Sequence, residues 1–176
     1  MTTISYNAAI SACEKSARWQ HAIQLLSELR EVALEPDVIS YSAAISACEK
    51  GRQWQHALSL LHGMCEVSVE PNVFSHSAGI SACEKSGRWQ EALSLLTDMS
   101  EENSEPNVFS YSAGIAACEK GGQWQAALLL FDALLETKLE PNTFSYSAAV
   151  TACKQGRRWR QALSLLTDLL EARLEM

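Results

Sequence analysis

One feature constrains this chain more than any other: it is written five times with a period of 35 residues. The four prolines stand at Pro36, Pro71, Pro106 and Pro141, and the five tryptophans at Trp19, Trp54, Trp89, Trp124 and Trp159, both without slippage. The string Ile-Ser-Ala-Cys-Glu-Lys recurs verbatim from Ile10, Ile45 and Ile80. Self-similarity of this length marks a helical-hairpin solenoid, whose units cannot bury both faces alone and become stable by stacking. The natural repeats run 3–37, 38–72, 73–107, 108–142 and 143–176, the last incomplete, and together make a single array over 1–176.

Each repeat reads as two helices. In the first, Tyr41, Ala44, Ile45 and Cys48 follow the i, i+3, i+4, i+7 spacing of one buried face, with Ser42, Ser46 and Glu49 beside it. Gly51 is placed to stop that helix, and Trp54, Ala57, Leu58, Leu61 and Met64 or Cys65 form the apolar face of the second. Glu70-Pro71-Asn72 ends the repeat, and Asn72 or Ser75 caps the next helix. First helices rich in Ser and Ala have little bulk to hold their axes apart, so neighbours pack closely.

The composition excludes several classes. With 47% apolar and 20% charged residues the chain is neither disordered nor collagen-like. Its longest apolar run, Ala126 to Phe131, is far short of the ~20 residues a membrane-spanning helix needs. Met-Thr-Thr-Ile-Ser-Tyr at the start does not read as a targeting segment. Six cysteines and four histidines invite a metal reading, but the local pairs zinc sites use are missing. Equivalent cysteines in stacked hairpins lie about 8–10 Å apart, beyond the ~7 Å at which a disulfide closes. Cys13, Cys48, Cys83, Cys118 and Cys153 therefore read as small core residues in a reducing compartment, and Cys65 as a partly exposed free thiol. His21, His56, His62 and His76 sit beside no recurring nucleophile, and no phosphate loop, carboxylate pair or Ser-His-Asp set is visible, so neither catalysis nor a cofactor is expected. The tryptophans, opening the second helix's apolar face, read as core rather than as a stacking platform.

Charge is more informative. The formal net charge of −7 argues at first against a nucleic-acid partner. Yet the windows 14–20, 49–55, 84–90, 119–125 and 154–160, which span the hairpin turns, carry +7 and the rest of the chain −14. Lys15, Lys50, Lys85 and Lys120 recur once per repeat, flanked by Arg18, Arg52, Arg88, Arg157 and Arg158. Stacking would align them along one edge, a row suited to a phosphate backbone. The competing reading is a solvated turn whose cations favour a helix C-terminus.

These residues resemble the pentatricopeptide repeat, a 35-residue helical hairpin of organellar RNA-binding proteins. Repeat two carries the likeness: Val-Ile-Ser-Tyr-Ser-Ala-Ala-Ile-Ser-Ala-Cys-Glu-Lys-Gly from Val38, then Ala57-Leu58, Met64 and Glu70-Pro71-Asn72. The tetratricopeptide pattern, with Leu-Gly soon after its Trp, is not met by Gln55, His56 and Ala57 after Trp54. The resemblance implies a right-handed superhelical all-α solenoid of five hairpins that binds single-stranded RNA at one base per repeat and has no catalytic activity of its own. It implies base-selecting pairs Asn7 with Asp37, Ser42 with Asn72, Ser77 with Asn107, and Ser112 with Asn142, read as 5′-U-A-A-A-3′, with Ser147 lacking its partner. It implies that Ile4, Ile39, Phe74, Phe109 and Phe144 sandwich bases and that Lys15, Lys50, Lys85 and Lys120 contact phosphates. The residues alone leave a second reading of that apolar column, as helix-entry staples in the inter-repeat core.

By the same resemblance the setting is RNA processing in a mitochondrion or chloroplast, with room for other RNA-processing proteins as partners and none for a membrane or small-molecule substrate. Three departures mark the carry-over: Gln155 fills the Lys column with Lys154 shifted by one, His76 replaces a tyrosine, and Leu174-Glu175-Met176 stands where Leu-Glu-Pro is expected. Repeat five is thus expected to read poorly, and ends without polar capping helices predict a piece of a longer protein. The rival function is a protein-interaction scaffold holding an extended peptide in the same groove. A third possibility is an adaptor whose enzyme lies on another segment.

Overall fold

The computed structural model of the chain describes residues 2–101 and 104–174; the departures at Glu175 and Met176 lie outside them. Among the described residues every regular element is an α-helix. In chain order these are α1 (Thr3–Lys15), α2 (Trp19–Glu31), α3 (Val38–Lys50), α4 (Trp54–Glu66), α5 (Val73–Lys85), α6 (Trp89–Glu101), α7 (Val108–Lys120), α8 (Trp124–Glu136), α9 (Thr143–Gln155) and α10 (Trp159–Leu174). They divide into two compact units, Met1–Ser86 with α1 to α5 and Gly87–Met176 with α6 to α10. In the first unit α3 packs against α1, α2, α4 and α5; in the second α7 packs against α6, α8 and α9, and α9 also meets α8 and α10. The all-α repeat architecture expected from the 35-residue period is the one the helices form.

The first helices begin where the sequence supplies a cap. Asp37, Asn72 and Asn107 each accept a bond from the backbone N–H three residues on, at Ser40, Ser75 and Ser110, while that serine's hydroxyl accepts from the cap residue's own N–H. This reciprocal box satisfies two of the backbone donors a helix start leaves without partners. Asn142 caps α9 through the Ser145 N–H at 2.8 Å. The cap is thus the Asn or Asp, and the serine completes it.

Gly51 stands where α3 stops, as its place in the sequence predicts, but it is not the left-handed residue of the turn. Gly51 has φ −79°, and the left-handed residue is the next one, Arg52, at φ 55°. The Gln53 N–H bonds back to Cys48 O at 2.8 Å and the Arg52 N–H to Glu49 O at 3.1 Å, the paired closure of a Schellman turn. Gly51 is small for another reason: a Cβ there would stand 2.4 Å from Cδ1 of Trp19 in the preceding hairpin. Gly121 against Trp89 and Gly156 against Trp124 repeat the contact in the second unit. The tryptophans lie at the margin of the core, Trp89 and Trp124 packing against the buried cluster of the second unit. Trp19, Trp54, Trp89 and Trp124 are half-buried, and Trp159 is 64% exposed. In each unit an indole, rather than an aliphatic side chain, closes one hairpin turn onto the next.

Small residues dominate the first helices' buried faces, and in α3 Ala44, Ile45, Ala47 and Cys48 have no exposure. At Gly114 an added Cβ would come within 2.5 Å of Leu96 Cδ1, which shows how closely α7 approaches α6. All six cysteines are free thiols; Cys48, Cys83, Cys118 and Cys153 are buried and Cys65 is exposed. Burial pushes Cys48 up to about 12 and Cys118 up to about 11, from an ordinary value of 9.0. The folded state therefore holds these protons more tightly than the unfolded chain. Their contribution to stability is complete below about pH 9 and is lost as pH rises towards those raised values. Denaturant midpoints are expected to be level up to about pH 9 and to fall above it. In the double variant Cys48→Ala, Cys118→Ala that fall should be shallower, and an equally steep one would sink the assignment. In native protein a thiol reagent should label Cys65 ahead of Cys48 and Cys118.

Candidate nucleic-acid interface

The residues singled out from the sequence fall at the two ends of the first helices. At the N-terminal end, Ile4, Ile39, Phe74, Phe109 and Phe144 are 79%, 62%, 77%, 71% and 53% exposed. They are not staples in an inter-repeat core, since their rings and branches face solvent. One large apolar side chain therefore stands bare in every repeat, three residues before the polar residue of the same helix that was singled out.

The polar pairs are tied into the caps. Between repeats one and two, Asn7 Nδ2 donates to both carboxylate oxygens of Asp37 at 3.1 and 3.2 Å, and the Ser40 hydroxyl lies 2.5 Å from Asn7 Oδ1. Burial pushes the Asp37 carboxyl up, but hydrogen bonds from the Ser40 N–H and hydroxyl, the Asn7 amide and the Ile39 N–H outweigh it, leaving the group below its ordinary 3.8. The carboxylate thus stabilises the fold above about pH 4, a contribution lost as pH falls through its lowered folded value.

At the other junctions the cap dictates which way the amide is turned. Asn72, Asn107 and Asn142 accept the Ser75, Ser110 and Ser145 N–H groups on Oδ1 at 2.9, 2.9 and 2.8 Å. A backbone N–H can only donate, so the amide oxygen must face it and Nδ2 must face away. Each capped asparagine turns a donor away from the cap, whereas Asp37 carries acceptor oxygens only, both engaged by Asn7 Nδ2.

The first-helix members of the pairs differ among themselves. Ser42 Oγ is buried and has no hydrogen-bond partner among the described residues. Ser112, 2% exposed, lies 2.5 Å from Val108 O and 3.3 Å from Asn142 Oδ1. Ser147 is exposed on α9. Ser77 belongs to the first unit and Asn107 to the second.

At the C-terminal ends of the first helices the lysine row is not bare. Lys50 Nζ meets Glu14 Oε1 at 2.8 Å, and Lys85 Nζ meets Glu49 Oε1 at 2.6 Å. Each lysine bonds the glutamate one hairpin back, and the Ser81 hydroxyl adds to Glu49 at 3.0 Å. In the second unit Gln155 takes the same place, donating to Glu119 O and Oε1 at 3.0 and 3.1 Å. Lys15 is exposed at the end of α1 and Lys120 at the end of α7. The glutamates were not singled out by sequence reasoning. Their signal was a Glu followed 36 residues later by Lys, one residue more than the repeat.

Three family models match this chain: the PPR repeat family over residues 1–50, the pentatricopeptide repeat domain over 94–155, and the PPR repeat over 39–69 and 80–104. The chain belongs to the pentatricopeptide repeat family. Among solved pentatricopeptide repeat structures it is similar to PPR10 from maize, with TM-score 0.74 and 24% identity over 97% of this chain and 24% of that one. Against PPR10 in complex with an 18-nt psaJ RNA element the TM-score is 0.78, with 23% identity over 93% of this chain and 24% of that one. Against the PPR domain of Arabidopsis thaliana protein-only RNase P 1 in complex with tRNA it is 0.82, with 15% identity over 94% of this chain and 87% of that one. At these identities the likeness is one of fold, and the chain spans about a quarter of the maize protein. No curated protein matches it in sequence.

Among the described residues no group of three or more His, Cys, Asp or Glu is placed to hold a metal ion, and no helix is long and apolar enough to cross a membrane.

Proposed function

We propose that this pentatricopeptide array binds single-stranded RNA, one base at each repeat junction. The observation that carries the reading is the bare apolar side chain in every repeat, Phe74 and Phe109 foremost, three residues before a polar residue of the same helix, with the capped Asn72 and Asn107 turning a donor away from the cap. A base stacked on such a side chain gains on the order of 1–3 kcal/mol, and its Watson–Crick edge then meets the polar pair. Asn7 with Asp37, Ser42 with Asn72, Ser77 with Asn107, and Ser112 with Asn142 select the bases, giving a core of 5′-U-A-A-A-3′. Ile4, Ile39, Phe74, Phe109 and Phe144 flank them, and Lys15, Lys50, Lys85 and Lys120 approach the phosphates. The complexes of PPR10 with the psaJ RNA element and of the RNase P PPR domain with tRNA support this reading. The proposal extends, on the family resemblance, to a role in RNA processing in a mitochondrion or chloroplast, and no bond-making step is assigned to the chain.

Fluorescence anisotropy tests the proposal with 5′-labelled RNA containing U-A-A-A, a uracil-only strand and the matching DNA. The U-A-A-A strand is expected to bind most tightly, and affinity should fall steeply with salt, by ~0.7 log units per tenfold salt for every phosphate contact. Equal affinity for all three strands would overturn base selection. Tight, salt-independent capture of an extended apolar peptide in place of RNA would favour the scaffold reading.

A further inference from the structure

The fifth hairpin has the least compensated charge. From Pro141 to Thr167 the sequence holds no Asp or Glu, yet it holds Lys154, Arg157, Arg158 and Arg160. In the first unit Lys50 and Lys85 are each neutralised by a glutamate one hairpin back. Here the neutral Gln155 occupies that place on Glu119, and Lys154 stands where the other repeats have Glu. Among the described residues none of these four cations forms an ion pair with a carboxylate. All four are exposed.

Their arrangement suits a phosphodiester strand. Arg157, Arg158, Trp159, Arg160 and Gln161 line a shallow pocket of about 300 Å³. Arg158 lies over the Trp124 ring at 5.3 Å and Arg160 over the Trp159 ring at 5.2 Å. Guanidinium groups held against indoles keep their outward N–H groups available, and an Arg fork matches phosphate oxygens in pairs. The Trp159 indole, 64% exposed, offers a flat face to a base. The pocket sits at the opposite end of α9 from Asn142, roughly 18 Å along a helix of this length. It is thus separate from the base-selecting end of the hairpin.

We propose that the turn between α9 and α10 is a sequence-independent anchor for single-stranded nucleic acid, in which Arg157, Arg158 and Arg160 bind consecutive phosphates and Trp159 stacks on a base. The ligand class rests on the RNA-binding reading above; the site itself does not use the base-selecting pairs.

The test compares the full chain with the triple variant Arg157→Gln, Arg158→Gln, Arg160→Gln on labelled oligouridine and on U-A-A-A RNA across a salt series. Loss of three phosphate contacts is expected to reduce the slope of log affinity against log salt by about 2 on both strands. The preference for U-A-A-A over oligouridine should be unchanged. The matching Lys triple variant should restore the slope, separating charge from any disturbance of the turn. In Trp159→Phe, the quenching of tryptophan fluorescence by oligouridine should drop. An unchanged slope in the Gln variant, or undiminished quenching in Trp159→Phe, overturns the anchor. Polyglutamate competing as strongly as RNA of equal charge would assign the patch to an acidic peptide instead. Should the wild-type chain not distinguish the two RNAs, the base-reading proposal fails, while the slope difference still decides the anchor.

Discussion

Phe131→Ala is expected to destabilise the second unit by about 3–5 kcal/mol, the range for truncating a buried aromatic to Ala. Phe131 is 1% exposed in α8 and meets the Tyr146 ring of α9 edge-on, centroids 5.0 Å apart at 63°. It belongs to a core with Ile115, Leu128, Leu134, Ala149 and Cys153, so one ring links α7, α8 and α9. Alanine would remove both the transfer gain and the contacts across the junction, and the small Ala and Cys neighbours have little length with which to refill the space.

The loss is large on the scale of the unit. Some 90 residues of ordinary globular protein carry on the order of 5–13 kcal/mol in total, and in stacked repeats the damage falls on the interface touched rather than being shared evenly. Urea unfolding followed by circular dichroism should show the shift, and amide exchange should speed up first in α8 and α9. Phe131→Leu is the control, because Leu26, Leu61, Leu96 and Leu166 fill the same place in the other repeats. It should cost less than about 1.5 kcal/mol. A loss below about 1 kcal/mol for the alanine variant would mean that the α8–α9 junction is not packed as described.

How much of this was legible beforehand follows from which interactions repeat. The period, the two helices per repeat and the small-residue faces were readable because each obeys one register through all copies. Capping was half readable: Asn72 and Ser75 were both candidates, and only the backbone shows that Oδ1 takes the Ser75 N–H while the hydroxyl takes the cap's own N–H. The glycine of the turn was rightly read as the end of the helix, but the contact that requires its small size was not. A turn glycine suggests left-handed backbone, but here Arg52 adopts that conformation and Gly51 makes room for Trp19, a contact between repeats that a single repeat cannot show. The same gap hid the glutamate–lysine ladder, so a row read as bare cation is partly neutralised from the preceding hairpin. The serine column looked uniform as well. Yet Ser42 Oγ is an orphan and Ser112 Oγ is held by Val108 O, a difference set by side-chain rotation.

Asn72→Asp is expected to move preference at the second base from adenine to guanine, and the cap is what makes the expectation sharp. Asparagine spends Oδ1 on the Ser75 N–H at 2.9 Å and turns Nδ2 away from the cap, a donor suited to the acceptor N1 of adenine. Aspartate has the same shape and is an equally good cap, so the fold and the α5 N-terminus should be retained. Its second oxygen would stand where Nδ2 stood, accepting from the N1–H of guanine and facing the lone pair of adenine N1 without a proton between them. A site built around one hydrogen-bond partner rejects a ligand that leaves its groups unpaired, here by about 1–3 kcal/mol for each base, or roughly five- to 150-fold. Competition anisotropy with strands differing only at that base reads the change directly. Asn72→Ala separates the two roles: losing cap and donor together, it should lower the denaturation midpoint and flatten base preference, whereas Asn72→Asp should leave the midpoint near wild type and invert the preference. Retention of adenine preference by the aspartate variant would mean that the capped side chain does not read the base.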